Sequence, residues 1–258
     1  MMPLLPEQVE SLRQLQELCR GFGADVVIIG AIAYRVWVDD PQRQTEDLDL
    51  AVALDFPEFE ALTHTLSDLG WRQDARREQR WHSPQGGRLD LLPAGERLRK
   101  QGWVEWPRSG MRMSLLGFAS VFASSPERVI APGLVAKVVG LPLFALLKIV
   151  AFLDDPHSRQ KDVQDLVALM HWYAVDGDRR FRPEVYDAGI EYEHAGAFLL
   201  GQDVAGFCGV EEMALVESFV RWAKSDPGAH STVLARWSGE TGGEPSRLIG
   251  AFEMGLRS

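Results

Sequence analysis

The sequence predicts an α+β fold, with strands and helices over residues 1–140 and helices alone over residues 141–258. Three observations indicate it. Apolar, β-branched runs of strand length stand at 26–29 and 48–53. A polar hairpin pattern with an S-P-Q-G-G turn follows at 71–92. Beyond residue 141, apolar residues recur at helical spacing, with Gly, Asp and Pro between the segments.

The first 70 residues hold a regular alternation of helix and strand patterns. Apolar spacing and flanking glycines predict helix 6–22, strand 24–29, helix 31–38, strand 48–53 and helix 56–69. Gly30 separates the first strand from the short helix that follows it. A polar loop that contains Pro41 leads to the second strand.

The later elements follow from the same patterns. They are the hairpin over 71–92, a short strand and a helical turn over 111–122, a strand pair around Pro132-Gly133, helix 141–153, a helix with Ser158 as its N-cap, and helices 183–194, 195–207, 211–224 and 247–256. Residues 93–112 are rich in Arg, Gly and Pro, so we expect a long connection there.

Composition places the chain among soluble globular proteins. Of its 258 residues, 46% are apolar and 25% are charged. Two cysteines are too few for a disulfide framework, which suits a reducing cytoplasm. The N-terminus lacks a basic start followed by an apolar core, so we expect no signal peptide. The longest apolar tract, 133–153, contains Lys137, Pro142 and Lys148, which are costly in a bilayer. We therefore expect a cytoplasmic protein without a membrane span.

Charge is unevenly distributed along the chain. The net charge is −10, yet residues 72–112 carry 10 basic and 5 acidic side chains. A basic segment in an acidic chain is a candidate for contact with phosphates of a nucleic acid. Arg72, Arg76 and Arg80 share strand parity, so we expect them on one face. The alternative is a locally basic hairpin with no partner.

Two carboxylates stand at the start of the second strand. Asp47 and Asp49 are two residues apart, so they project from the same face. Neighbouring carboxylates are costly unless a positive group lies between them, and a divalent metal ion is the usual one. The Gly30-Ala31 turn precedes a helix, whose first N–H groups attract anions. Together these features indicate a metal ion and a triphosphate.

Three short motifs in the first half resemble those of the DNA polymerase β superfamily of nucleotidyltransferases. They are I-G-A at 29–31, T-E-D-L-D-L at 45–50 and R-L-D-L-L at 88–92. The resemblance implies a small mixed sheet flanked by helices. It also implies that Asp90, on the second strand of the hairpin, is a third metal-binding carboxylate.

A second pair of motifs resembles the AbiEii/AbiGii-type toxin nucleotidyltransferases. It consists of L-L-K-I-V-A-F at 146–152 and R-Q-K-D-V-Q-D-L at 159–166. In that family a lysine of one helix and the Lys-Asp start of the next face the triphosphate. The resemblance therefore implies a helical domain over 141–258 that contributes a phosphate-binding lysine, Lys148.

The resemblance implies a reaction and a set of roles. The reaction is the Mg²⁺-dependent transfer of a nucleoside monophosphate from an NTP to an acceptor hydroxyl, with two metal ions. The implied catalytic residues are Asp47, Asp49, Asp90 and Lys148; Asp47 and Asp49 bridge the two ions, and Asp90 binds the catalytic one. The implied nucleotide-binding residues are Gly30, Ala31, Thr45, Lys148 and Asp162. The expected acceptor is tRNA, and a cognate antitoxin protein is the expected partner.

Two departures from the family pattern keep alternatives open. Ala31 stands where the family has a second Gly or a Ser, and fifteen residues separate Ala31 from Asp47. The acceptor could instead be a protein hydroxyl, as in antitoxin-type adenylyltransferases, or an aminoglycoside. A further alternative is a nucleotide-binding module that has lost turnover.

Overall fold

The structure is a computed structural model that describes residues 4–38, 45–175, 177–225, 234–235 and 244–258. The predicted loop 39–46 therefore lies mostly outside the described residues. The chain separates into two compact units, Met1–Phe144 and Ala145–Ser258. Residues 141–144, which we expected in the helical domain, belong to the first unit.

The first unit is built on a mixed sheet. Its strands are β1 Val26–Ile29, β2 Asp47–Val52, β3 Arg72–Gln73, β4 Arg80–His82, β5 Arg88–Pro93, β6 Trp103–Glu105, β7 Arg112–Ser114, β8 Glu127–Ala131 and β9 Leu134–Val138. The described strands form a seven-stranded sheet in the order β3-β4-β5-β2-β1-β9-β8, while β6 and β7 pair separately. The pairs β2–β5 and β1–β9 are parallel, and the other pairs are antiparallel.

The helices of the first unit lie between these strands in the sequence. They are α1 Pro6–Gly21, α2 Gly30–Trp37, α3 Phe56–Asp68, α4 Glu96–Gln101 and α5 Phe118–Ser124. Helix α6, Leu141–Asp154, crosses the boundary between the units. This arrangement of a mixed sheet with helices confirms the predicted α+β class.

Strand alternation gives β2 two different faces. Leu48 and Leu50 have no exposed surface, whereas Asp47 and Asp49, which alternate with them along the strand, are half-buried. Strand β5 has the same pattern of burial, and it pairs with β2 residue for residue. One face of this strand pair is therefore apolar core, and the opposite face carries charged side chains.

The long connection predicted over 93–112 contains two regular elements that the sequence pattern did not show. Helix α4 and strand β6 both lie within it. The carboxylate of Asp55 accepts hydrogen bonds from the backbone N–H groups of Arg97 (3.2 Å) and Leu98 (2.9 Å) at the start of α4. Gly102 ends the helix in the left-handed conformation, with φ of 85°. The stabilising carboxylate is distant in sequence, so the local pattern could not show it.

The described part of the second unit is helical, as predicted. After α6 come α7 Gln160–Trp172, a 3₁₀ turn Arg179–Phe181, α8 Pro183–Asp187, α9 Tyr192–Ala205, α10 Val210–Ser225 and α11 Glu244–Leu256. Glycines allow α9 and α11 to lie close together, because a Cβ atom on Gly201 or Gly255 would overlap the backbone of the other helix.

Two predictions of helix bounds in the second unit are wrong. A single helix over 183–194 is replaced by α8 and the start of α9, because Gly189 takes a φ of +67° and breaks the chain direction. Ser158 does not cap α7, which begins at Gln160 with Arg159 as its N-cap. The Ser158 N–H instead donates to Asp155 Oδ1 (3.3 Å) in the preceding turn.

The long apolar tract 133–153 divides into strand β9 and helix α6. Within the described residues, none of the helices combines the length and the apolar character that crossing a bilayer requires.

Candidate functional site

The three predicted carboxylates lie on one face of the β2–β5 strand pair. Asp49 pairs in register with Asp90, and Asp47 pairs with Arg88. Because residues two apart on a strand share a face, all four side chains project from the charged face. Each is half-buried. The register of two parallel strands thus brings together residues more than 40 positions apart.

Gly30 lies directly against Asp49. Ile29, the last residue of β1, pairs with Asp49, and Gly30 follows it as the first residue of α2. Gly30 has a φ of +70°, and a Cβ atom there would overlap the Asp49 carboxylate. Both observations require glycine. The turn that we expected to bind phosphate therefore adjoins the carboxylates, and Ala31 beside it is buried.

Thr45 stands at the entry to β2. Its hydroxyl lies 3.3 Å from both the backbone nitrogen and the carbonyl oxygen of Asp47. This contact fixes the start of the strand that carries Asp47 and Asp49. A contact of Thr45 with a nucleotide stays a prediction.

Arg80 forms ion pairs with two of these carboxylates, Asp47 and Asp90. It lies on β4, opposite Asp90. Its Nε donates to Asp90 Oδ1 (2.7 Å), and its Nη2 donates to Asp90 Oδ2 (2.8 Å) and Asp47 Oδ2 (2.8 Å). The hydrogen bond to Asp90 is the main reason that the pKa of Arg80 rises above its ordinary value. The side chain is 11% exposed, so this ion pair is well shielded from water.

Arg88 is a second cation on the same face. Its Nε donates to Asp47 Oδ1, and its Nη2 lies 3.1 Å from Glu46 Oε2. Its side chain is 34% exposed, about three times as much as that of Arg80. Both oxygens of Asp47 and both oxygens of Asp90 thus accept hydrogen bonds from guanidinium groups.

The prediction that Arg72, Arg76 and Arg80 share one face for nucleic-acid contact is wrong for Arg80. Arg72 on β3 and Arg76 in the following turn are exposed, whereas Arg80 is buried against the carboxylates. The turn between β3 and β4 interrupts the strand, so the parity argument that placed the three arginines together does not hold. Arg72 and Arg76 remain candidates for contact with phosphates.

The carboxylates fit Mg²⁺ by donor type and by backbone position. Mg²⁺ prefers carboxylate oxygens, and three carboxylates share one face beside the start of a helix. Their present side-chain arrangement differs from a metal site, since no three His, Cys, Asp or Glu side chains of the described residues converge to hold an ion. Arg80 and Arg88 supply positive charge beside these carboxylates, and the binding of a metal ion here stays a prediction.

The predicted residues Lys148 and Asp162 are brought together in the second unit. Lys148 Nζ donates to Asp162 Oδ1 (2.6 Å) and lies 2.9 Å from Asp165 Oδ2. Burial opposes the charge on Lys148, but the fields of Asp165 and Asp162 outweigh burial and raise its pKa. The ammonium group is thus paired with two carboxylates, and Arg159 Nη1 lies 3.9 Å from the second oxygen of Asp162. Its contact with a triphosphate stays a prediction.

Sequence reasoning missed the roles of Arg80, Arg88 and Asp165. A signal existed for the first two, because counting outward from the S-P-Q-G-G turn pairs His82 with Arg88 and Arg80 with Asp90. A signal also existed for Asp165, which follows Asp162 at the three-residue spacing that places two side chains on one side of a helix.

The comparisons with known proteins found distant likenesses among solved structures. The chain matches no protein-family model, and no curated protein is similar to it. One similar solved structure is an antigenic nucleotidyltransferase-like protein from Paracoccidioides brasiliensis, with 15% identity, a TM-score of 0.45, and coverage of 90% of this chain and 94% of that one. Another is the Thermotoga maritima CCA-adding enzyme complexed with tRNA, with 12% identity, a TM-score of 0.27, and coverage of 98% and 82%. Values this low support no inference about activity.

Proposed function

We propose that this protein is a Mg²⁺-dependent nucleotidyltransferase that transfers a nucleoside monophosphate from an NTP to an acceptor hydroxyl. The observation that carries the proposal is the side-by-side register of Asp49 and Asp90, with Gly30 packed against Asp49. Carboxylates and the free N–H groups of a helix start are thereby adjacent. They are the groups that a metal-bound triphosphate requires.

Each residue of this face has a distinct task in the proposal. Asp47, Asp49 and Asp90 would hold Mg²⁺, which when bound activates the attacking hydroxyl and stabilises the leaving pyrophosphate. The first N–H groups of α2, at Gly30 and Ala31, bind phosphate oxygens. Asp90 accepts the proton of the acceptor hydroxyl. Lys148 and Asp162 are proposed as further nucleotide-binding residues on the strength of the sequence resemblance alone.

RNA, specifically a tRNA 3′ end, is the proposed acceptor. The support is the excess of basic residues over 72–112 and the exposure of Arg72, Arg76 and Arg77. A toxin role with a cognate antitoxin is proposed from the resemblance of residues 146–166 to AbiE-type toxins. A protein hydroxyl or an aminoglycoside is the alternative acceptor.

A specific observation favours a second function, a nucleotide-binding module without turnover. All four oxygens of Asp47 and Asp90 are engaged by Arg80 and Arg88. A protein that had lost its metal ions would need such internal cations to stabilise the remaining carboxylates.

NTP binding with and without Mg²⁺ distinguishes the two functions. The test uses calorimetry on the wild type and on Asp49→Asn, with each of the four NTPs. The transferase requires binding that depends on Mg²⁺ and is lost in Asp49→Asn. Asp25→Asn is the matched control, because Asp25 precedes β1 of the same sheet and forms an ion pair with Lys137, away from the charged face of β2 and β5. NTP binding that is the same with and without Mg²⁺, and the same in the wild type and Asp49→Asn, would favour the nucleotide-binding module.

A further inference from the structure

Arg80 bridges the two strands that carry the carboxylates. It is the residue of the described chain whose side chain bonds both Asp47 on β2 and Asp90 on β5. It is also the better shielded cation of the face, with 11% of its side chain exposed against 34% for Arg88. A guanidinium group keeps its charge at every physiological pH, so loss of a proton from Arg80 cannot release it from the carboxylates.

A divalent ion and Arg80 need the same oxygens. Arg80 engages three of the four oxygens of Asp47 and Asp90. An ion that binds both residues must take these oxygens over or share them with a neighbouring positive charge. A divalent ion and a guanidinium group held a few ångströms apart in a partly shielded site repel each other strongly. Binding of the ion therefore requires the guanidinium group to withdraw.

We propose that Arg80 is an internal counter-cation that competes with the divalent ion for Asp47 and Asp90, and that it thereby sets the metal affinity of the site. The inference rests on the proposed function, since it assumes that these carboxylates bind metal. Arg80 is a positioning residue in this role, because it acts through the carboxylates. Without metal it holds Asp47 and Asp90 in place and neutralises them. With metal bound it moves away from them.

Arg88 provides a matched control. It lies on the same face and carries the same charge, but its hydrogen bonds go to Asp47 and Glu46. Its greater exposure leaves it a path into solvent when an ion binds. Neutralising Arg88 therefore removes one positive charge from the face without removing the bridge between the strands.

The test is a titration of the full chain with Mn²⁺, in which the concentration of free Mn²⁺ is measured by its electron paramagnetic resonance signal. The proteins are the wild type, Arg80→Gln, Arg88→Gln and Asp49→Asn. We expect Arg80→Gln to bind Mn²⁺ at least about tenfold more tightly than the wild type, and Arg88→Gln to show a smaller gain. Asp49→Asn should bind Mn²⁺ more weakly than the wild type, and this result would place the ion at the charged face.

A second readout separates competition from a merely structural role. Arg80→Gln loses stability in metal-free buffer, and its melting temperature should rise with Mn²⁺ by more than that of the wild type. If Arg80→Gln does not fold, Arg80→Lys serves instead. Its ammonium group keeps the charge but cannot reproduce the fork that holds two carboxylates, so its Mn²⁺ affinity should lie between those of the wild type and the neutral variant.

The outcomes distinguish the inference from the proposed function. If the wild type binds Mn²⁺ at Asp49 and Arg80→Gln binds no more tightly, the inference is wrong and the proposed metal site stands. If Arg88→Gln gains as much affinity as Arg80→Gln, only the net charge of the face matters, and the bridging role is wrong. If neither the wild type nor Arg80→Gln binds Mn²⁺, both proposals fail.

Discussion

Arg80 holds Asp90 through both carboxylate oxygens, with Nε–Oδ1 of 2.7 Å and Nη2–Oδ2 of 2.8 Å. This two-point ion pair joins β4 to β5 across the charged face of the sheet. Such paired hydrogen bonds between charged groups are stronger and more directional than single ones. The pair therefore stabilises the metal-free protein and holds the Asp90 carboxylate in place while no metal ion is bound.

Loss of Arg80 should destabilise the fold through the carboxylates that it leaves behind. Arg80→Met is expected to lower the free energy of unfolding by roughly 2–4 kcal/mol, because a shielded carboxylate pair loses its counter-charge. Arg80→Met combined with Asp90→Asn should recover part of this loss, since one of the carboxylates is then neutral. Urea denaturation of the two single variants and the double variant gives the coupling energy. Strictly additive losses would show that the ion pair contributes nothing to stability.

Gly30→Ala should damage both stability and nucleotide binding. The positive φ costs an alanine about 1–2 kcal/mol, and the added methyl group also displaces the Asp49 carboxylate. Gly23→Ala is the matched control, because Gly23 has a φ of +65° but open space around its Cβ position. Thermal denaturation and Mg²⁺-dependent NTP binding should both be worse for Gly30→Ala. Equal behaviour of the two variants would mean that contact with Asp49 has no consequence.

Lys148 should stabilise the second unit, with a dependence on pH. Lys148→Met leaves Asp162 and Asp165 without their shared counter-charge, so we expect a loss of about 3–5 kcal/mol near neutral pH. The pKa of Lys148 is raised above its ordinary 10.5 in the folded protein. Its contribution is therefore complete below pH 10.5 and is lost as the pH rises through the folded value.

The direction of this pH dependence is checked by measuring the free energy of unfolding of the wild type and Lys148→Met across the pH range. The difference in stability between them should narrow above pH 10.5. The triple variant with Asp162→Asn and Asp165→Asn should recover much of the loss, because no unpaired carboxylate then remains buried. A difference that stays constant into alkaline pH would contradict the buried ion cluster.

The fold and the carboxylates were predictable because their signals are local. Leu48 and Leu50 alternate with Asp47 and Asp49 within six residues, so the two faces of β2 can be read from the sequence. Asp90 repeats this pattern on β5. These positions require only strand periodicity, which a single segment displays.

The partners of these carboxylates depend on register, which a single segment does not display. The sequence alone groups Arg80 with Arg72 and Arg76, because nothing local distinguishes them. Only the pairing of β4 with β5 shows that Arg80 lies opposite Asp90. Helix α4 was missed for a similar reason, since its N-terminal cap is Asp55, about 40 residues earlier. Both errors concern long-range pairing of charged groups.

The basic segment should contribute to RNA binding through its exposed arginines. Replacing Arg72 and Arg76 with Ala should weaken RNA binding. It should also make the slope of log K against log salt concentration shallower, by about 0.7 to 0.9 per lost phosphate contact. The matched control replaces Arg13 and Arg20 with Ala. Both are exposed on α1, and their replacement removes the same amount of positive charge. Binding across a salt series checks this. Equal slopes for both double variants would show that the segment makes no phosphate contact.

The incorporation of a labelled nucleotide into an acceptor tests the central claim most directly. The wild type and Asp49→Asn are incubated with Mg²⁺, total RNA or cell lysate, and each NTP labelled at its α-phosphate. We predict that the wild type transfers label to an RNA or protein acceptor only when Mg²⁺ is present, and that Asp49→Asn transfers none. Label transferred equally by both proteins, or by neither with any NTP, would contradict the claim that this carboxylate face is a nucleotidyltransferase site.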